Sequence, residues 1–126
     1  MPDRRQVGAE RFELLVPDHP SFGQSDTPDW WRNIGDAAYF YLDFMAALKL
    51  SGVHVVGASL GGWIAAEMAV KSTQRISHLV LANSVGIKVG NRETRDITDI
   101  FAKTETDLNA LVYFDPSIAV HDYKTM

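Results

Sequence analysis

Gly57-Ala58-Ser59-Leu60-Gly61 places a serine between two glycines. A run that reads as a strand precedes it (Val53-His54-Val55-Val56), and one that reads as a helix follows it (Leu60 to about Lys71). A serine hydroxyl is a weak nucleophile until the backbone lifts it clear and presents it to a base. A sharp strand-to-helix turn does this by holding the serine in a strained conformation, its hydroxyl standing proud of the sheet. Gly57 and Gly61 are expected where such a turn leaves no room for side chains. The Leu60 amide, at the start of the new helix, is expected to point where an oxyanion would form. The chemistry these residue types suit is nucleophilic attack on an acyl carbon.

Two other glycine motifs fail on the same residues. A dinucleotide-binding G-x-G-x-x-G beginning at Gly57 needs glycine at position 59 and meets Ser59. A phosphate-binding loop has its glycine spacing in Gly57 and Gly62, but then needs Lys-Ser/Thr and meets Trp63-Ile64. An aspartate nucleophile is excluded by the serine itself.

The elements that must position Ser59 alternate between strand and helix along the chain. A strand is expected over Phe12–Val16, ending at Pro17, followed by a loop rich in Pro, Gly, Ser and Asp to about Trp30. Apolar residues at 34, 38, 41, 42, 45 and 48 predict a helix from about Ile34 to Leu48, with Asn33 as its N-cap. Gly52 breaks the chain before the next strand. Glu67 and Lys71 mark the wet side of the helix after Ser59, and a further strand is expected from about Ile76 to Ala82. Beyond Ser84 the chain turns polar, with helical spacing at Ile97, Ile100, Phe101, Leu108, Leu111 and Val112; Pro116 should end or kink a helix. This divides the chain into residues 1–90, a core carrying the serine turn, and residues 91–126.

Three stretches together resemble the α/β-hydrolase fold family: FELLVPDHPSFGQSDTP (12–28), SGVHVVGASLGGWIAAEMAV (51–70) and RISHLVLANSVG (75–86). The likeness is to its branch of small-ester hydrolases, haloperoxidase-like enzymes and carbon–carbon hydrolases. The first stretch resembles the family's fourth strand and its D-x-P-G-F-G loop, here Asp18 to Gly23, with Ser21 replacing the usual glycine. The second resembles the fifth strand and nucleophile elbow, the third the sixth strand. The resemblance covers about residues 10 to 90. It implies an α/β fold of parallel strands with flanking helices, and a serine hydrolase acting on a carboxylic ester or a related acyl or carbon–carbon bond. Ser59 would attack and the Leu60 amide would help to hold the oxyanion. Residues 91–126 would begin a helical cap. By its place after a strand's carboxyl end His19 is expected to line the site, and Phe22 is expected either in a pocket wall or in the core.

The family needs roughly 250 residues for its fold, so the resemblance implies that these 126 residues are its central part, truncated and catalytically impaired alone. The strands carrying the triad's acid and histidine would lie elsewhere. So would the loop supplying the second oxyanion amide. In the family's sheet another strand lies between the counterparts of Phe12–Val16 and Val53–Val56. Either these two pair directly here, or another chain fills the gap. A reading of a different class is a non-catalytic remnant or interaction module, associating through exposed sheet edges.

The histidines sort by position, because sites in parallel α/β sheets lie at the carboxyl ends of strands. His54 begins its strand, up to about 15 Å of extended chain from Ser59, and His78 begins another; both read as structural or solvated. His19 follows a strand's carboxyl end, on the correct side. Ser59, Asp115 and His121 occur in the family's order of nucleophile, acid and base. The acid and base, however, stand only six residues apart on one segment. Asp18 is expected to tie down its own loop, and Trp30, Trp31 and Trp63 to pack.

Composition adds exclusions. The net charge is −4, with Lys and Arg scattered, so no nucleic-acid footprint is present, and no cysteine offers a disulfide or thiolate metal site. No His/Asp/Glu group has metal-ligand spacing, and no cofactor is expected. The apolar run after the basic start is too short for a signal peptide, and residues 53–70 are too polar for a membrane span. A cytoplasmic protein acting on a small ester-like molecule is the expectation.

Overall fold

The computed structural model describes residues 12–99 and 102–118 in full and residues 3–5 by their backbone. It divides into two compact units, Met1–Ile87 and Lys88–Met126. The element order in the first unit is β1 (Asp3–Arg5), β2 (Leu14–Val16), α1 (Ile34–Ala47), β3 (Val53–Ala58), α2 (Leu60–Lys71) and β4 (Ile76–Ala82). The second unit holds α3 (Glu105–Val112) and a 3₁₀ turn, Pro116–Ile118.

The expected α/β architecture centres on β3 and β4, which pair in parallel with α2 as the crossover between them. Their register brings His54 opposite His78, Val56 opposite Val80 and Ala58 opposite Ala82. Alternation along β3 turns Val53, Val55 and Gly57 inward, while His54, Val56 and Ala58 are exposed. The expected strand at Val53–Val56 runs on through Gly57 and Ala58, so Ser59 follows it directly.

At β2 the direct pairing with the next strand, one of the two expected arrangements, does not occur. Leu14–Val16 does not pair with β3; it pairs antiparallel with β1, Asp3 opposite Val16 and Arg5 opposite Leu14. The segment that reads as a polar start thus supplies hydrogen-bond partners to a strand that would otherwise present a bare edge. The strand is also shorter than the expected Phe12–Val16.

Helix α1 begins as its sequence predicts. Asn33 Oδ1 accepts from the Asp36 amide at 3.1 Å while the Asp36 carboxylate accepts from the Asn33 amide at 3.0 Å, a reciprocal capping box. The apolar stripe of α1 supplies Ala37, Ala38, Tyr41 and Met45 to a core completed by Ile64 and Met68 of α2. Helix α2 also packs against β3 and β4. On its outer side Lys71 pairs with Glu67 at 3.1 Å.

The expected helical spacing beyond Ser84 holds for only part of its length. Helix α3 covers Leu108, Leu111 and Val112, whereas Ile97 lies in non-helical chain and Ile100 and Phe101 fall outside the described residues. The Thr104 hydroxyl caps α3 by accepting from the Asp107 amide, and Tyr113 closes it three residues before Pro116. Among the described residues no helix is long and apolar enough to cross a membrane.

Candidate active site

Ser59 occupies the junction of β3 and α2 with φ 51° and ψ −118°, a conformation that L-residues rarely adopt. Four hydrogen bonds hold its backbone there. The Ser59 amide donates to the Ala82 carbonyl at the end of β4, 3.0 Å. Its carbonyl accepts from Gly62 (3.0 Å) and Trp63 (3.3 Å) in the first turn of α2, and from Val85 (3.2 Å) beyond β4. Strain of this kind costs on the order of 1–3 kcal/mol and persists only where the surroundings fix it from several sides. The side chain is left over: Ser59 is exposed and its hydroxyl makes no capping bond to the helix.

The carbonyl bonds account for the third and fourth amides of α2. The first two, on Leu60 and Gly61, have no acceptor among the described residues. These orphan donors carry the positive end of the helix dipole to the same turn as the hydroxyl.

The two glycines of the motif are not equivalent. A Cβ on Gly57 would collide with the carbonyl of Gly61 and lie 2.7 Å from Gly62 Cα, so the turn forbids it. A Cβ on Gly61 would meet only the His19 ring, at 3.5 Å from Nε2, an ordinary contact. The expectation that crowding in the turn demands glycine at 61 is therefore corrected. The second position closed by packing is Gly62, whose Cβ would run into the Ser84 side chain across the end of β4. The sequence offers no sign of this, because Ser84 is 22 residues away and brought in only by the sheet.

His19 lies beyond the carboxyl end of β2, and its ring stands over Gly61. Its Nδ1 is 2.6 Å from the Tyr41 hydroxyl on α1. Phe22 packs edge-on against the same ring with centroids 6.1 Å apart, and Trp31 does so at 6.5 Å. Burial draws the His19 pKa below its ordinary 6.5, opposed by the negative charge of Asp18. Burial, and secondarily the same charge, pushes the Tyr41 phenol up to about 12. Tyr41 is a site-adjacent residue that motif reading missed, although a tyrosine on a buried helical stripe always needs a partner for its hydroxyl.

Asp18 holds its loop: its carboxylate accepts from the Gln24 amide at 3.1 Å, and its carbonyl accepts from the Ser25 hydroxyl at 2.9 Å. Ser21 has φ 68°, the left-handed region that favours glycine. The Ser84 hydroxyl oxygen is buried without a hydrogen-bond partner among the described residues.

His54 and His78 stay away from the elbow's chemistry. They are exposed cross-strand partners at the starts of β3 and β4, ring centroids 4.5 Å apart. Asp115 accepts from the Ser117 amide and hydroxyl, bonds that hold its carboxyl below the usual range, and it belongs to the second unit. His121 lies outside the described residues. Among the described residues no hydrogen bond joins Ser59 to a histidine, and no group of three His, Cys, Asp or Glu could hold a metal ion. An open groove of about 420 Å³ runs beside α1, lined by Trp30, Asp36, Tyr39, Phe40 and Asp43, none of them an elbow residue.

The family model described as alpha/beta hydrolase fold matches residues 4–115. An uncharacterized protein of Mycobacterium tuberculosis is 31% identical over 93 residues, covering 74% of this chain and 26% of its own. The 2-hydroxymuconate semialdehyde hydrolase of a Pseudomonas species is 34% identical over 63% of this chain and 28% of its own. The dihydrolipoyllysine-residue acetyltransferase component of the acetoin cleaving system of Cupriavidus necator is 33% identical over 62% and 21%. The chain thus spans about a quarter of the length of these relatives. No solved structure gives a significant match.

Proposed function

Because the chain belongs to the α/β-hydrolase fold family, we propose that it carries the nucleophile of a serine hydrolase acting on a carboxylic ester or a related acyl or carbon–carbon bond. The observation that supports this reading most is Ser59 itself, at φ 51° and ψ −118° between β3 and α2, with an exposed and uncapped hydroxyl.

In this reading Ser59 Oγ attacks the carbonyl carbon, and the hydroxyl proton passes to a base. The carbonyl oxygen becomes an oxyanion beside the amides of Leu60 and Gly61. Collapse of the intermediate breaks the bond to the leaving group, which takes up the proton. Water then attacks the acyl-enzyme and releases the acid, restoring the serine. The base is proposed to be a histidine paired with a carboxylate, both on sequence other than the described residues. Without that pair Ser59 keeps the weak nucleophilicity of an ordinary alcohol. Preorganised donors still contribute, because oxyanion stabilisation survives loss of triad members. The second unit, with α3, is proposed to begin a cap over the site.

A second reading, a non-catalytic interaction module, draws on the exposed face of β3 and β4, where Val56 is 70% and Val80 51% exposed. A chromogenic short-chain ester separates the two. With the proposed histidine–carboxylate pair present, a burst of alcohol release that disappears in Ser59→Ala is expected of the hydrolase. Equal background rates in both proteins under that condition would refute it.

A further inference from the structure

His19 and Tyr41 form a polar pair whose free end faces the elbow. Tyr41 is 7% exposed, so its phenol proton needs an acceptor inside the protein. Nδ1 of His19, 2.6 Å away, is the acceptor the described residues offer. A neutral imidazole has one accepting and one donating nitrogen. If Nδ1 accepts from Tyr41, the ring proton resides on Nε2. That nitrogen lies 3.5 Å from where a Cβ on Gly61 would stand. Tyr41, Phe22 and Trp31 surround the ring edge-on, with centroids 5.6, 6.1 and 6.5 Å away, and set its orientation. Gly61 thereby acquires a reason that backbone crowding does not give it: the missing side chain leaves open the space beneath Nε2.

We propose that His19 is a substrate-binding residue whose Nε2–H donates a hydrogen bond to an oxygen of the acyl group held at the elbow, and that Tyr41 is a positioning residue that fixes the His19 tautomer. The site then favours acyl groups presenting an accepting oxygen on the His19 side over plain alkyl chains. The inference rests on the reading of Ser59 as nucleophile and deepens it.

The test is long-range ¹H–¹⁵N NMR of the chain at pH 7.5, with butyrate as an acyl-oxygen probe and n-butylammonium, which has no accepting atom, as its counterpart. The wild-type spectrum is expected to show the Nε2–H tautomer, and Tyr41→Phe a mixture of both. Butyrate should shift the Nε2 resonance and butylammonium should not. His19→Gln, which keeps a donor near that position, should retain butyrate binding, and His19→Leu should weaken it about tenfold. An Nδ1–H tautomer in the wild type, or equal butyrate affinity in His19→Leu, overturns the proposal. With the proposed histidine–carboxylate pair present, a fluorophosphonate that labels the wild type but not Ser59→Ala reports on the nucleophile separately. Absent labelling with His19-dependent butyrate binding removes the nucleophile and leaves the donor assignment standing. Labelling with His19-independent binding does the reverse.

Discussion

Ser59 owes its conformation to neighbours rather than to its own preference. A serine at positive φ relaxes unless held, and here the end of β4, the chain beyond it and the first turn of α2 all bond to its backbone. The His19–Tyr41 pair shows the same dependence in its protonation. The phenol titrates near 10.0 when unfolded and is pushed up to about 12 in the fold. The folded state therefore resists ionisation that the unfolded chain accepts. Its contribution is full below pH 10 and is lost as pH rises from 10 to 12, amounting to about 2–3 kcal/mol. His19, with its pKa lowered from 6.5, works on the other side: stability falls as pH drops below 6.5, because the unfolded chain binds the proton more readily. Urea melts of wild type and Tyr41→Phe across pH 9 to 12 should show the wild type losing more stability than the variant. Parallel curves would mean that Tyr41 ionises freely.

At the scale of elements, the ends of α1 are built by different means. Its N-terminus is closed by side chains, through the Asn33–Asp36 box. Its C-terminus is closed by backbone alone: the Lys49 amide donates to Ala46 and the Leu50 amide to Met45, both at 2.9 Å. This is the Schellman arrangement, and it places Lys49 at φ 53°, where glycine is the favoured residue. Lys49→Gly removes a left-handed penalty of about 1–2 kcal/mol but adds freedom to the unfolded chain. A net gain of about 0.5–1 kcal/mol is expected, against a loss of about 1 kcal/mol for Asn33→Ala. Thermal melts of the two variants against wild type measure both. α3 teaches a complementary point. Apolar spacing at Ile97 resembles that at Leu108, yet only the latter has the Thr104 cap and becomes helical and buried.

For the molecule as a whole, the decisive feature is the sheet face opposite α2. Parallel sheets are normally covered on both faces. Here His54, Val56 and Ala58 of β3 and His78, Val80 and Ala82 of β4 are exposed. Among the described residues the two strands are also both edges of their sheet. Such a surface favours association with further chain. Light scattering after size exclusion should find concentration-dependent self-association, reduced in Val80→Lys. A wild type that stays monomeric at all concentrations would count against it.

Much of the elbow was legible because its requirements are local. Strand, bend and helix lie within a few residues, and Gly57 is excluded from bearing a side chain by atoms only four and five positions away. The capping of α1 was legible for the same reason. By itself the amino-acid order determined the α/β alternation, the position of the serine and the start of the first long helix. Only the tertiary structure decided that β2 pairs with β1, that Gly62 rather than Gly61 is closed by packing, and that Tyr41 meets His19. Each of these joins segments whose contact depends on how the chain closes in space, and no short-range preference encodes it.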